Sequence, residues 1–256
     1  MRAATSTRFF ARTMTVLCVI GSIDSARAAA CRFEPQGEGR VTEILDARTF
    51  RLQDGREVRL IGIEPIAGID AAALAALIAG RDITLHGETD APDRYGRQPA
   101  FVFLDATAPS VQSRLLAQGA ALASPAVTDK ECAAELAAAE AAARRARAGA
   151  WSRGPVIKNA ESPGDILAEV GRFAVVEGRV LSVRTAGATT YVNFGRNWTR
   201  DFAVTISRRM MVTLEAANIS PKSFERRRIR VRGWVGRQSG PRIEVLRVGQ
   251  IEVVGD

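Results

Sequence analysis

Between positions 46 and 97 the chain sets two arginines, Arg59 and Arg97, among the carboxylates Asp46, Glu57, Glu64, Asp70 and Asp93. The guanidinium is a planar fork of donors that stays charged and matches a phosphate through two parallel hydrogen bonds. Carboxylates orient or deprotonate a water, and several together hold a hard cation such as calcium. These residue types are compatible with phosphate chemistry but do not by themselves name a substrate. Other chemistries lack their residues. The single histidine, His86, falls in a predicted strand with no partner in the pattern and reads as structural. No zinc spacing, phosphate-binding glycine loop or serine-hydrolase elbow is present.

The order of these residues carries a resemblance. One stretch begins Asp46-Ala47-Arg48-Thr49 and ends Arg59-Leu60-Ile61-Gly62-Ile63-Glu64-Pro65-Ile66-Ala67; a second reads Asp93-Arg94-Tyr95-Gly96-Arg97. They resemble the staphylococcal-nuclease (thermonuclease) family, whose motifs are Asp-Gly-Asp-Thr, Arg-Leu-x-x-Ile-Asp-(Ala/Thr)-Pro-Glu and Asp-(Arg/Lys)-Tyr-Gly-Arg. The resemblance implies a calcium-dependent nuclease. In that family two aspartates hold the ion, a glutamate orients the water and two arginines clamp the phosphate. Carried over, Arg59 and Arg97 are the clamps. Glu64 takes the place of one calcium ligand with an added methylene, and Asp46 matches the outer aspartate of the first motif. Arg48 stands where the other ligand belongs, and a guanidinium cannot ligate a cation. The place of the base falls on Ala67.

The catalytic set implied is therefore Arg59, Arg97 and Glu64. The metal set shrinks to Glu64 with Asp46, so calcium is expected to be weakly held or absent. Two readings of Arg48 stay open. It pairs with Glu64 and offsets the charge of the lost dication, or it points to solvent. Glu57 and Asp70 are the nearest acids that could replace the base, and the sequence places neither on the water.

The elements that must position these residues follow from periodicity. Residues 39–64 alternate apolar and polar over two strand limbs, with Asp54-Gly55 as the hairpin signal. Alanine-rich stretches predict helices over 70–79, 111–120 and 129–149, with Asp129 as a cap and Gly80, Gly119 and Gly149 as stops. Strands are expected over 82–86 and 99–104. This is the order of a thermonuclease-like OB barrel with appended helices. Gly154-Pro155 and Ser162-Pro163-Gly164 mark 154–165 as a linker. Beyond it the pattern gives three strands, a short helix and two strands, a second OB-like five-stranded barrel. The expected division is 1–30 signal peptide, 31–153 thermonuclease-like domain, 154–165 linker and 166–256 OB-like domain.

The first thirty residues pair a basic start (Arg2, Arg8, Arg12) with an apolar run over 14–23 and a small-x-small pattern, Ala26-Arg27-Ala28. A membrane span needs about twenty apolar residues, so the pattern predicts export with cleavage and no span afterwards. A lipoprotein anchored at Cys31 is the other option. Export to an oxidising compartment makes a Cys31–Cys132 disulfide the expected pairing, with two buried thiols as the alternative.

The net charge of +8 is uneven: residues 31–162 carry 16 basic and 18 acidic residues, and residues 163–256 carry 16 and 9. Attraction to a polyanion therefore belongs to the second domain. The dense run there is Arg226, Arg227, Arg228, Arg230 and Arg232, with Tyr191, Phe194, Trp198 and Trp234 nearby in pattern. These arginines are the expected nucleic-acid contacts, and a solvated face is the alternative; Phe194 and Trp234 read as core. Three functions compete. The first is a binder of DNA, RNA or another phosphodiester with lost or weak calcium-dependent nuclease activity. The second is an active phosphodiesterase with altered metal use, and the third a cell-envelope interaction module.

Overall fold

Short strands with alternating burial build the first domain. Phe50 and Leu52, then Val58 and Leu60, turn inward to 1 % exposure or less, and the residues between them face out. The structure, a computed structural model, describes Met1, Cys31 and residues 33–105 and 109–255. The expected signal peptide lies outside the described residues. β1 (Glu34–Asp46), β2 (Thr49–Leu52) and β3 (Glu57–Leu60) lead to β4 (Ile63–Pro65) and helix α1 (Ala72–Ile78). β5 (Asp82–Gly87), β6 (Gln98–Phe103), α2 (Val111–Ala117), β7 (Ala121–Ala123) and α3 (Lys130–Ala146) follow. The barrel closes in the order β1-β2-β3-β6-β5. Its pairs are antiparallel except β3 with β6. β4 leaves the barrel to pair with β7.

Two local departures from the periodicity matter. The first limb is not one strand: it turns at Ala47 and Arg48, where the Asp46 carboxylate accepts the Arg48 N–H at 2.8 Å. The apolar alternation runs through this turn and hides it. α3 is capped by Asp129, which accepts the Cys132 N–H at 2.7 Å, and ends at Arg147 in a left-handed conformation rather than at Gly149. The Cys31–Cys132 disulfide ties the start of the domain to α3. Closing a loop of this length contributes about 4–5 kcal/mol in the chain-entropy model.

The stretch expected as a linker holds β8 (Ile157–Asn159), paired with β9, and the start of α4 (Pro163–Leu167). Ile166 is fully buried in the second core, so the Pro and Gly here end elements and do not loosen a tether. β9 (Phe173–Arg179), β10 (Ser182–Ala186), β11 (Thr189–Asn193), β12 (Ala203–Ser207), α5 (Arg208–Ala216), β13 (Arg228–Gln238), β14 (Gly240–Val245) and β15 (Ile251–Val253) complete the chain. The sheet runs β10-β11-β12-β14-β13-β9-β8, with β15 on β13. Only Val180 and Leu181 separate β9 from β10. Taken as one bent strand, they give five strands in the same order as the first barrel, including one parallel pair, β12 with β14. The OB order therefore occurs twice.

The two domains are fastened by a buried charge. Glu140 of α3 is 1 % exposed and accepts the Ala123 N–H at 2.6 Å. Arg232 of β13 donates to both Glu140 oxygens, at 3.0 and 3.1 Å, and to the Ala123 carbonyl at 2.7 Å. Among the described residues no helix is long and apolar enough to cross a membrane.

Candidate functional site

Three short elements converge at one end of the first barrel. The β1–β2 turn presents Arg48, and its carbonyl accepts the Leu60 N–H at 2.8 Å, which fixes the turn against β3. β3 presents Arg59 outward because its neighbours Val58 and Leu60 fill the core; Arg59 lies in register with Thr49 and Pro99. β4 presents Glu64. Gly62 allows the sharp exit from β3: its φ is +79°, and a Cβ there would meet Leu136 Cδ1 at 2.8 Å. The loop at 93–97 brings Arg97, two residues before Pro99, to the side of Arg59.

Arg48 does not point to solvent. Its Nη1 donates to Glu64 Oε2 and, at 3.4 Å, to the Ile63 carbonyl, and the two side chains are 12 % and 13 % exposed. Burial pushes the Glu64 carboxyl above its ordinary range, although Arg48 and Arg59 both act to lower it. Arg97 is held by Asp93, whose Oδ2 accepts from Nε at 3.0 Å and Nη2 at 2.7 Å. Burial pushes the Asp93 carboxyl up. The Arg97 guanidinium and the Arg97 and Tyr95 N–H groups outweigh it and hold that carboxyl at about 2. Tyr95, 64 % exposed, lies against Arg97 and Arg94, 4.8 and 4.7 Å from its ring centre. The anchoring role of Asp93 escaped the motif reading, although its spacing from Arg97 is a usable turn signal.

Arg59 differs from its neighbours. It is half-buried, and its guanidinium makes no hydrogen bond or ion pair among the described residues. Burial lowers its pKa, and the nearby Arg48 and Arg97 charges lower it further. Arg48, Arg59, Asp46 and Asp70 line one open cleft of about 530 Å³. Asp70 is exposed and accepts the Ala72 N–H at 3.0 Å in the turn that leads into α1. Glu57 is committed to Arg51 at 2.8 Å. Ala67 is exposed and faces a different cavity, between the domains, shared with Arg153, Lys158 and Phe173.

This donor set does not fit calcium. Glu64 is engaged by a fixed cation, and Asp46 accepts the Arg48 N–H. Among the described residues no three His, Cys, Asp or Glu side chains gather as a metal site.

The arginine run of the second domain is not one free face. Arg232 is bound to Glu140, and Arg230, 7 % exposed, is bound to Glu177 at 2.6 Å and Glu252 at 3.1 Å. Arg228 is paired with Glu177 at 2.6 Å. Arg226 and Arg227 remain exposed. The split follows the start of β13: Arg228, Arg230 and Arg232 share one face of the strand, where carboxylates meet them, and Arg226 and Arg227 precede it. His86 donates from Nδ1 to the Phe33 carbonyl at 3.0 Å and packs edge-on to Phe103, a structural placement. Phe194 is buried as expected, but Trp234 is 54 % exposed.

Residues 69–153 match the family described as staphylococcal nuclease homologue, so this part of the chain is a domain of that family. The family is generally calcium-dependent and binds nucleic acids. The match includes the loop with Asp93 and Arg97 and helices α1 to α3. It begins just after the stretch that carries Arg48, Arg59 and Glu64. No curated protein matches the chain.

Proposed function

We propose that the protein is an exported phosphodiester-binding protein that grips a nucleic-acid phosphate at Arg59 and has lost calcium-dependent cleavage. The unpaired Arg59, half-buried beside two other guanidiniums, carries the reading: such a cluster is unfavourable until an anion enters it. Arg97 is pre-set by Asp93, and Arg48 borders the same cleft. Arginine forks suit the two free oxygens of a phosphodiester. Hydrolysis also needs a deprotonated water and stabilisation of the developing charge. Ala67 supplies no base, a loss of about 10²- to 10⁴-fold. The Arg48–Glu64 pair occupies the place where a cation would act. The disulfide agrees with export, because such bonds persist in oxidising compartments.

A second reading keeps the activity. Asp70 lines the cleft with Arg48 and Arg59 and is a carboxylate within it. An active phosphodiesterase would use it to orient water.

Retention and cleavage of single- and double-stranded DNA and RNA, with calcium, magnesium or chelator, separate the two. Binding that falls with salt, is lost in Arg59→Ala and is accompanied by no cleavage is the expected result. Calcium-dependent cutting that disappears in Arg59→Ala would overturn the binding-only reading. Metal-independent cutting lost in Asp70→Asn would favour the second.

A further inference from the structure

The second barrel has a face that the arginine run does not describe. On β10, β11, β12 and β14, Val183, Val192, Val204, Ile206, Ile243 and Val245 turn into the core. The intervening residues must face outward. Arg184 stands opposite Tyr191 and Tyr191 opposite Thr205; Asn193 stands opposite Ala203 and Ala203 beside Arg242. These side chains floor a groove of about 420 Å³, walled on one side by Trp198 and on another by the β13–β14 turn.

Trp198 is 74 % exposed, yet it is not on a loose loop. The Asn197 carboxamide accepts the Thr199 N–H at 3.1 Å and its hydroxyl at 2.6 Å. The Asp201 carboxylate accepts the Asn197 N–H at 2.8 Å, and the Asp201 N–H donates back to the Asn197 carbonyl at 2.7 Å. Gly195 makes room for this closure, since a Cβ there would lie 2.0 Å from Asp201 Oδ2. The loop that carries this exposed indole is closed by four hydrogen bonds, which makes it a pre-built contact surface.

We infer that this groove binds a single-stranded nucleic acid, with unpaired bases stacked on Trp198 and Tyr191 and phosphates held by Arg184 and Arg242. Neither arginine makes an ion pair among the described residues. The one carboxylate in the groove, Asp201, is turned into its own loop, so the open charge is positive. That combination suits a ligand with both π faces and negative charge. A neutral sugar would have no use for the arginines, and a duplex hides its base faces. Arg242 also lines a separate pocket between the domains, together with Glu64 and Trp234.

The test uses the full chain and a fluorescently labelled oligodeoxythymidine, with a duplex of equal length and a neutral chito-oligosaccharide as competitors. The groove predicts single-strand binding weakened roughly 5- to 100-fold in Trp198→Ala, weakened in Arg242→Ala, and largely kept in Trp198→Phe. The exposed indole can be removed without unfolding, so equal thermal unfolding of Trp198→Ala and the parent completes the supporting result. Unchanged binding in Trp198→Ala, displacement by the sugar, equal affinity for duplex, or no binding at all would each overturn it. Binding lost in Arg59→Ala but kept in Trp198→Ala would place the strand in the first domain alone and sink the groove. The converse pattern would keep the groove and sink the first-domain reading.

Discussion

The Arg48 guanidinium hydrogen-bonds the Glu64 carboxylate, and it does so where the family resemblance puts a cation between two acids. Breaking such a pair leaves one largely buried charge without a partner, whereas replacing both members removes both desolvation costs. Arg48→Met alone is expected to destabilise the protein by about 3 kcal/mol, and Arg48→Met with Glu64→Leu by less than about 1 kcal/mol. Urea unfolding of the two singles and the double gives the coupling directly. Additive effects would mean that the pair contributes nothing.

Arg48 also decides metal use. Calorimetric titration of the parent chain with calcium should give no heat at this site. Arg48→Asp removes the fixed cation and frees Glu64, so calcium binding at roughly millimolar affinity should appear. Micromolar binding by the parent would contradict the idea that the Arg48–Glu64 pair excludes a cation.

The Asp93–Arg97 anchor has a pH signature. Asp93 sits at about 2 in the folded chain against an ordinary 3.8, so the folded state favours its ionised form. The stability it contributes is therefore present above about pH 4 and is lost as the pH falls through about 2. Asp93 is partly open to solvent, which screens the gain to about 1 kcal/mol. Difference unfolding curves of the parent and Asp93→Asn should converge between about pH 4 and 2; curves that stay parallel there would show that Arg97 does not lean on Asp93.

The fastening between the domains is expected to hold their unfolding together. Arg232→Met leaves Glu140, 1 % exposed, with the Ala123 N–H and Arg144 at 3.5 Å as its remaining partners. A loss of about 3 kcal/mol is expected, and differential scanning calorimetry should split one transition into two. A single transition at the parent temperature would show that other contacts join the domains.

What the sequence showed and what it hid follow from range. The barrel order, and with it the places of Arg59 on β3 and Arg97 beside β6, were legible because motif spacing and alternation are local. The β1–β2 turn at Arg48 was hidden because the apolar alternation continues across it. Whether Arg48 met Glu64 or water could not be read, since β4 must first leave the barrel to pair with β7. The role of Arg232 depends on Glu140, far away on α3, so the run from 226 to 232 looked like one basic face. Trp198 was visible as an aromatic near arginines, but its exposure rests on the closure between Asn197 and Asp201.

Arg59 and the second-domain groove should separate by salt dependence. For a single strand, every phosphate neutralised by a protein cation adds about 0.7 to the steepness of log affinity against log salt. Arg59→Ala should remove one such neutralisation and, because the half-buried cation has no other partner, should leave thermal stability equal to the parent or raise it. Trp198→Ala should weaken binding with the slope nearly unchanged, since stacking releases no counterions. Measuring affinity from 50 to 300 mM salt (about a sixfold span on which such slopes are readable) distinguishes them. A fall in stability in Arg59→Ala would show that its guanidinium is a structural anchor, and the anion-seeking role assigned to it would fail.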